Sequence, residues 1–216
     1  MVNVQVEGAA LDCTYNLYLV ANYFSGPGSA FITYKNASDG TPLWASYPDG
    51  GTGPAIGLTL DSNTNVFLVG QDAYQYNGAF SYYYSTIKLG ATGSTMWEEH
   101  YPEPPFGSSA ATSIAVDSVN NCYVTGYSPG TNSYNDIVTI KYGPNGNQVW
   151  LQRYSSPGNG NAVGNAIAVD NNGNVYVTGY DTTAEGGTEI VRVASVSVRK
   201  GKKPGGPARA LISAGR

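Results

Sequence analysis

The sequence contains few of the residues on which disulfide-bonded and histidine-dependent proteins rely. Its 216 residues include two cysteines, one histidine and 12% charged residues. Two cysteines cannot build a disulfide-rich scaffold, and no apolar run approaches the roughly twenty residues of a membrane helix. These absences exclude a disulfide-rich module and a helical membrane protein. With a single histidine, the chain is also a poor candidate for histidine-based catalysis.

Charge is distributed unevenly along the chain. Residues 1–191 carry four basic and fifteen acidic side chains, whereas residues 192–216 carry seven basic side chains and no acidic one. Because these acidic residues repel the phosphate backbone, we expect no nucleic acid as partner. We also expect no membrane as partner, since no apolar run is long enough for a membrane helix. The basic stretch 201–216 is rich in Pro and Gly, and we predict a disordered tail of foreign origin there.

The chain is rich in glycine and tyrosine, and its sequence repeats. It contains 28 Gly and 18 Tyr, and 41% of its residues are hydrophobic, which argues against disorder. Three tryptophans recur at intervals of 53 residues, and so do three lysines: Trp44, Trp97, Trp150, Lys35, Lys88 and Lys141. Self-similarity at a period near 50 residues is typical of proteins built from repeated structural units.

Each repeat contains four short runs of β-branched and aromatic residues separated by turn residues. In the third unit these runs are 114–116, 122–125, 137–142 and 148–152. Four antiparallel strands per repeat predict a β-propeller blade, because a lone sheet cannot bury both faces whereas stacked blades can. The aspartates that precede the first turn of each unit are predicted to form turns rather than to bind ligands: Asp12, Asp61, Asp117 and Asp170.

Three stretches carry a resemblance to a known family. They read AIAVD (166–170), GNVYVTG (173–179) and GNQVW (146–150). The repeat resembles the bacterial β-propeller repeat called SBBP and is similar to the NHL repeat. The resemblance implies an all-β propeller of four-stranded antiparallel blades and a bacterial, extracytoplasmic parent protein. This chain, which shows no signal peptide, is expected to be a fragment of such a propeller.

The repeat boundaries predict about 3.5 to 4 blades per chain. An arc of this size exposes a sheet face at each end, so we expect a homodimer that closes the ring; a four-bladed ring within one chain is the alternative. The predicted segments are an N-terminal strand that completes a blade (1–7), blade 1 (8–54), blade 2 (55–110), blade 3 (111–163), a partial blade 4 (164–200) and the tail (201–216).

His100 and the two cysteines offer little chemistry. His100 falls in the fourth strand of blade 2, so we expect an exposed edge position, far from the axis where a Ser-His-Asp triad would form. The same placement argues against a metal site built on His100. Cys13 and Cys122 occupy different positions of the repeat, and we expect two unpaired thiols.

The stretches between the second and third strands of blades 2, 3 and 4 are the most variable, and we predict them to be loops that form one face: 71–85, 127–136 and 180–189. Their tyrosines and acids suit a glycan, a peptide or a small ester, and a ring of carboxylates could hold a divalent cation such as calcium. The first interpretation is a binding or assembly module. The alternative is a weak metal-assisted hydrolase of esters, lactones or phosphoesters with a cation near the axis. The predicted ligand residues are Asp72, Tyr74, Tyr76, Tyr127, Tyr134, Asp136, Tyr180 and Asp181.

Overall fold

The described part of the chain is entirely β. The computed structural model describes residues 3–25, 28–48, 53–76, 79–101, 108–130, 134–157, 159–182, 188–198 and 210–211. These residues form sixteen strands in four antiparallel sheets of four strands each, and within every sheet the strands follow chain order. No helix that could cross a bilayer occurs among them.

Each sheet corresponds to one blade. Blade 1 contains β1 (Asn3–Leu11), β2 (Leu17–Ser25), β3 (Gly28–Asn36) and β4 (Pro42–Ser46). Blade 2 contains β5 (Ala55–Leu60), β6 (Val66–Tyr76), β7 (Ala79–Leu89) and β8 (Thr95–Tyr101). Blade 3 contains β9 (Ala110–Val116), β10 (Cys122–Pro129), β11 (Asn135–Tyr142) and β12 (Gln148–Tyr154). Blade 4 contains β13 (Ala162–Val169), β14 (Val175–Thr182), β15 (Thr188–Val198) and β16 (Ala210–Leu211).

The first hairpin turn of every blade is built around its aspartate. In blade 3, Asp117 Oδ1 accepts hydrogen bonds from the backbone N–H groups of Val119 (3.0 Å) and Asn121 (2.9 Å), and Oδ2 accepts from Asn121 Nδ2 at 2.7 Å. Asn120 adopts the left-handed conformation that this turn requires, with φ of 66°. The same bonds recur at Asp12, Asp61 and Asp170, which confirms the predicted turn role of these residues.

The repeated tryptophans join consecutive blades. The indole Nε1–H of Trp44 donates to the carbonyl of Ala91 at 2.9 Å, and that of Trp97 donates to the carbonyl of Pro144 at 3.0 Å. Each acceptor belongs to a turn of the following blade. Because a partly buried indole N–H needs an acceptor, this bond fixes how each blade sits against the next.

The hydrophobic cores lie between the sheets. One core joins the faces of blades 1 and 2, a second joins blades 2 and 3, and a third joins blades 3 and 4. The first strands β1, β5, β9 and β13 contact one another in succession, which places them on the inner side of the arc. Stacked four-stranded sheets with their first strands innermost are the architecture of a β-propeller.

The structure corrects several boundaries. Residues 3–7, predicted to complete another blade, begin β1 and pair with β2 within blade 1. The predicted loop 71–85 is largely a long hairpin, because β6 extends to Tyr76 and β7 begins at Ala79. Most of the predicted tail lies outside the described residues, although β16 pairs with the end of β15. Cys13 and Cys122 are free thiols, as predicted.

Candidate functional site

The three predicted acidic ligands are buried at separate positions, and each has a partner at its own blade or blade interface. Asp72 accepts a hydrogen bond from Tyr83 Oη at 3.0 Å. Asp136 pairs with Arg153 at 2.9 Å. Asp181 accepts from Tyr154 Oη at 3.0 Å. Their distinct partners do not support the single ring of carboxylates that the sequence suggested.

The predicted tyrosines are less enclosed. Tyr134 and Tyr180 are exposed, and Tyr127 is half-buried. Tyr74 and Tyr76 lie in β6, where their backbones pair with Ser81 and Ala79 of β7, and their side chains fall outside the described part of the chain. A ligand-binding role for these tyrosines stays a prediction.

Blade 2 brings together a group that the sequence did not predict, which we call the His100 cluster: Asp72, Tyr83, Glu98 and His100. The strand register explains its formation, because Asp72 pairs with Tyr83 while Ser85, two residues further along β7, pairs with His100. Directly opposed residues share a face of the sheet, and alternate residues along a strand do so too.

His100 lies between two carboxylates. Its Nε2 is 3.0 Å from Glu98 Oε1, and its Nδ1 is 3.6 Å from Asp72 Oδ2. The ring also lies against that of Tyr83, with 5.0 Å between the ring centres. The His100 side chain is 35% exposed, so solvent reaches one side of the group.

Burial shapes the electrostatics of the cluster. It raises the pKa of Tyr83 to about 12, with the Asp72 carboxylate adding to the effect, so the phenol is a permanent donor at neutral pH. Burial also raises the pKa of Glu98. Within the described ranges, Asp72, Glu98 and His100 are the one group of three side chains that could hold a metal ion, with one ligand atom from each lying within 4.8 Å of the others. This finding runs against the expectation that His100 has no part in a metal site.

Blade 3 fills the equivalent positions differently. Residues 128, 136 and 153 of blade 3 align with 72, 83 and 100 of blade 2. Arg153 donates to Asp136 Oδ2 (2.9 Å), Ser128 Oγ (2.9 Å), Tyr101 Oη (2.8 Å) and the carbonyl of Pro129 (3.0 Å). We call Arg153, Asp136, Ser128 and Tyr101 the Arg153 cluster. Tyr101 comes from blade 2, so this cluster ties two blades together.

The outer faces of the end blades form a second candidate site. On blade 1, exposed apolar side chains occupy the face turned away from blade 2: Val4, Val6, Leu11 and Leu43. On blade 4, Tyr176 and Tyr180 occupy the face turned away from blade 3. Tyr176 is 36% exposed, whereas its counterpart in blade 3, Tyr123, is 1% exposed beneath blade 4.

The repeat, the four-stranded blades and their stacking define a β-propeller protein. Residues 149–180 match the family model SBBP, described as a beta-propeller repeat, so the chain carries a repeat of this family, as the sequence resemblance implied. No curated protein matches the chain significantly.

Among solved structures, a gluconolactonase from Xanthomonas campestris is similar, with 13% sequence identity and a TM-score of 0.43. The match covers 86% of this chain and 60% of that protein, so this chain spans less than two thirds of its length. A likeness at this level says nothing of what this chain binds.

Proposed function

We propose that this chain is a β-propeller assembly module whose two end blades pack head to tail against a second copy. The observation that carries the proposal is the pair of matched tyrosines. Tyr123 and Tyr176 occupy the same position of the repeat and donate the same hydrogen bond to a turn aspartate, yet only Tyr123 is covered by a following blade. At this position the outer face of blade 4 thus carries the residue that the following blade covers in blade 3.

The outer face of blade 1 supplies the complementary surface. Val6 pairs with Ala21 as Ala55 of blade 2 pairs with Gly70, and Ala55 is fully buried at the interface with blade 1. Val6 is 57% exposed. A blade face of this kind is covered, at each internal interface, by the tyrosine-bearing or tryptophan-bearing face of the preceding blade.

A second copy is the occupant that fits both faces at once. Val6 and Tyr176 are exposed in the same chain, so the chain's own ends do not cover each other. Exposed apolar sheet faces are surfaces that proteins normally bury. Two copies related by a twofold axis bury both faces twice and close a ring of eight blades, which lies at the upper end of the usual range for propellers.

The test is the mass of the protein in solution, measured by analytical ultracentrifugation from low to high micromolar concentration. We expect a dimer for the wild type and a monomer for Val6→Asp and for Tyr176→Asp, because each places a charge in a buried contact. Val119→Asp is the matched control, since Val119 is exposed in a turn of blade 3 and away from both end faces.

Mixing the two variants separates head-to-tail contact from symmetric contact. Val6→Asp retains a normal blade 4 face and Tyr176→Asp retains a normal blade 1 face, so the mixture has one intact interface and should form a heterodimer. A wild-type monomer at every concentration, a mixture that stays monomeric, or a mass that grows without limit would overturn the proposal.

The alternative, a hydrolase with a cation near the axis, has less support. The group that could hold a metal lies on β6 and β8, the second and fourth strands of blade 2, whereas the axis is lined by first strands. Hydrolysis of an ester, lactone or phosphoester stays a prediction, as does binding of a glycan or peptide.

A further inference from the structure

We propose that the His100 cluster binds one divalent cation of the zinc class, with Asp72 Oδ2 and His100 Nδ1 as its protein ligands and water completing the coordination. The site belongs to blade 2 alone, so it does not depend on the assembly proposed above. It lies away from the axis and uses none of the turn aspartates.

The spacing of the two ligand atoms fits a shared ion better than a hydrogen bond. Asp72 Oδ2 and His100 Nδ1 are 3.6 Å apart, whereas N–H···O hydrogen bonds cluster near about 2.9–3.0 Å. Two ligands on a tetrahedral zinc ion, each at about 2.0–2.1 Å from the metal, lie about 3.3 Å apart. A small rotation of the half-exposed imidazole therefore brings both atoms onto one ion.

Two neighbours hold these ligands in place. Glu98 Oε1 lies 3.0 Å from His100 Nε2. In the metal-bound state it accepts a hydrogen bond from the Nε2–H group, which leaves the lone pair on Nδ1 for the metal. Tyr83 Oη donates to Asp72 Oδ2 at 3.0 Å and restrains the carboxylate. Metal-bound imidazoles in proteins are regularly oriented by a carboxylate on the second nitrogen, and Glu98 is such a positioning residue.

A buried hydroxyl adjoins the cluster. Ser85 lies directly opposite His100 on the neighbouring strand, and its hydroxyl is buried. Its side chain gives a hydrogen bond to the Glu98 carboxylate and so helps to hold the group that orients His100. The exposed side of His100 gives the ion and its water molecules a path from solvent.

The donor set selects the kind of metal. Calcium and magnesium prefer oxygen ligands only, whereas an imidazole together with a carboxylate suits zinc, cobalt or nickel. The alternative occupant of the same geometry is a proton, which would make His100 a cation held between Asp72 and Glu98. The two possibilities differ in whether the isolated protein takes up metal.

The experiment is a titration of the tag-free, metal-stripped full chain with Co²⁺, followed by visible absorption, and with Zn²⁺, followed by calorimetry. We expect one equivalent to bind, with Zn²⁺ displacing Co²⁺. His100→Gln and Asp72→Asn should abolish binding. Glu98→Gln should weaken it by about 10–100-fold and leave the shape of the cobalt spectrum unchanged, because the ligands themselves remain.

Glu99→Gln is the matched control. It removes the same charge one residue away, on the opposite face of β8, and should leave the affinity unchanged. Circular dichroism and the melting temperature of each variant without metal show that loss of binding is not loss of fold. Absence of binding by the wild type, binding that survives His100→Gln, or equal effects of Glu98→Gln and Glu99→Gln would overturn the proposal.

Discussion

Blades 2 and 3 place polar side chains at the same three strand positions and use them differently. In blade 3 the positions hold Ser128, Asp136 and Arg153, and Tyr101 of the preceding blade completes the group. In blade 2 they hold Asp72, Tyr83 and His100. By the 53-residue repeat, the position in blade 1 that corresponds to Tyr101 is Pro48, which has no hydroxyl to offer.

The difference shows how one scaffold position can serve structure in one repeat and ligand binding in the next. Arg153 makes four hydrogen bonds of 3.0 Å or less, two from Nη1 and two from Nη2, so neither of these nitrogens has a donor left for a ligand. His100 has one close partner, one distant partner and an open side. A side chain whose neighbours leave it with an open hydrogen-bonding position is the one that can bind a ligand from solution.

Truncation of Arg153 and of His100 should separate the two clusters most clearly. Arg153→Ala leaves the buried Asp136 carboxylate without its partner and should lower the free energy of unfolding by about 3 kcal/mol. His100→Ala removes a more exposed group and should cost less than about 1 kcal/mol. Chemical denaturation of both variants in metal-free buffer gives the two values. Equal losses in the free energy of unfolding would show that the two clusters contribute equally to stability, against this comparison.

Exchanging the residue of one blade for that of the other tests the comparison directly. His100→Arg installs the blade 3 cation between the Asp72 and Glu98 carboxylates. We expect a change in the free energy of unfolding within about 1 kcal/mol of zero, together with complete loss of Co²⁺ uptake, because a guanidinium is no metal ligand. Retained uptake would mean that the metal does not use position 100.

The first hairpin turn of blade 2 adds a buried ion pair to the bonds that both turns share. Asp117→Asn in blade 3 and Asp61→Asn in blade 2 each remove a carboxylate that accepts two backbone bonds and one asparagine bond. Asp117→Asn should lower the free energy of unfolding by about 1–2 kcal/mol at neutral pH. Asp61→Asn should lower it further, because Lys88 Nζ, 3.7 Å from Asp61 Oδ2, would lose its buried partner. Equal losses in the two variants would show that this ion pair contributes nothing.

The Asp117 contribution should also depend on pH. Burial alone raises the pKa of Asp117, but hydrogen bonds from Asn121, Tyr123 and Val119 outweigh it and hold the pKa below that of an ordinary aspartate. The carboxylate therefore stabilises the fold above the unfolded-state value of about 3.9, and this stability is lost as pH falls through the folded-state pKa. Denaturation curves of the wild type and Asp117→Asn should converge as the solution is acidified.

The architecture was predictable because the repeat is local and periodic. The spacing of Trp44, Trp97 and Trp150, together with the turn aspartates, predicted four-stranded blades that the structure confirms. Strand ends were harder to predict, because tyrosine-rich, polar stretches such as 71–85 read as loops although a long hairpin pairs them.

The His100 cluster could not be predicted in the same way. Asp72 and His100 are 28 residues apart in the sequence, and they share a face only because of the register of β6 with β7 and of β7 with β8. A one-residue slip in either pairing would turn one of them to the other side. Only the observed register shows that these two side chains meet.

The tryptophan hydrogen bonds have a consequence for how the chain is made. The acceptors of the Trp44 and Trp97 indoles lie 47 residues further along the chain. Synthesis proceeds from the N-terminus. The indole N–H of a blade that has already left the ribosome therefore has no acceptor until the next blade has been made. We therefore expect the blades to reach their final packing in chain order, each one completed when the following blade folds against it.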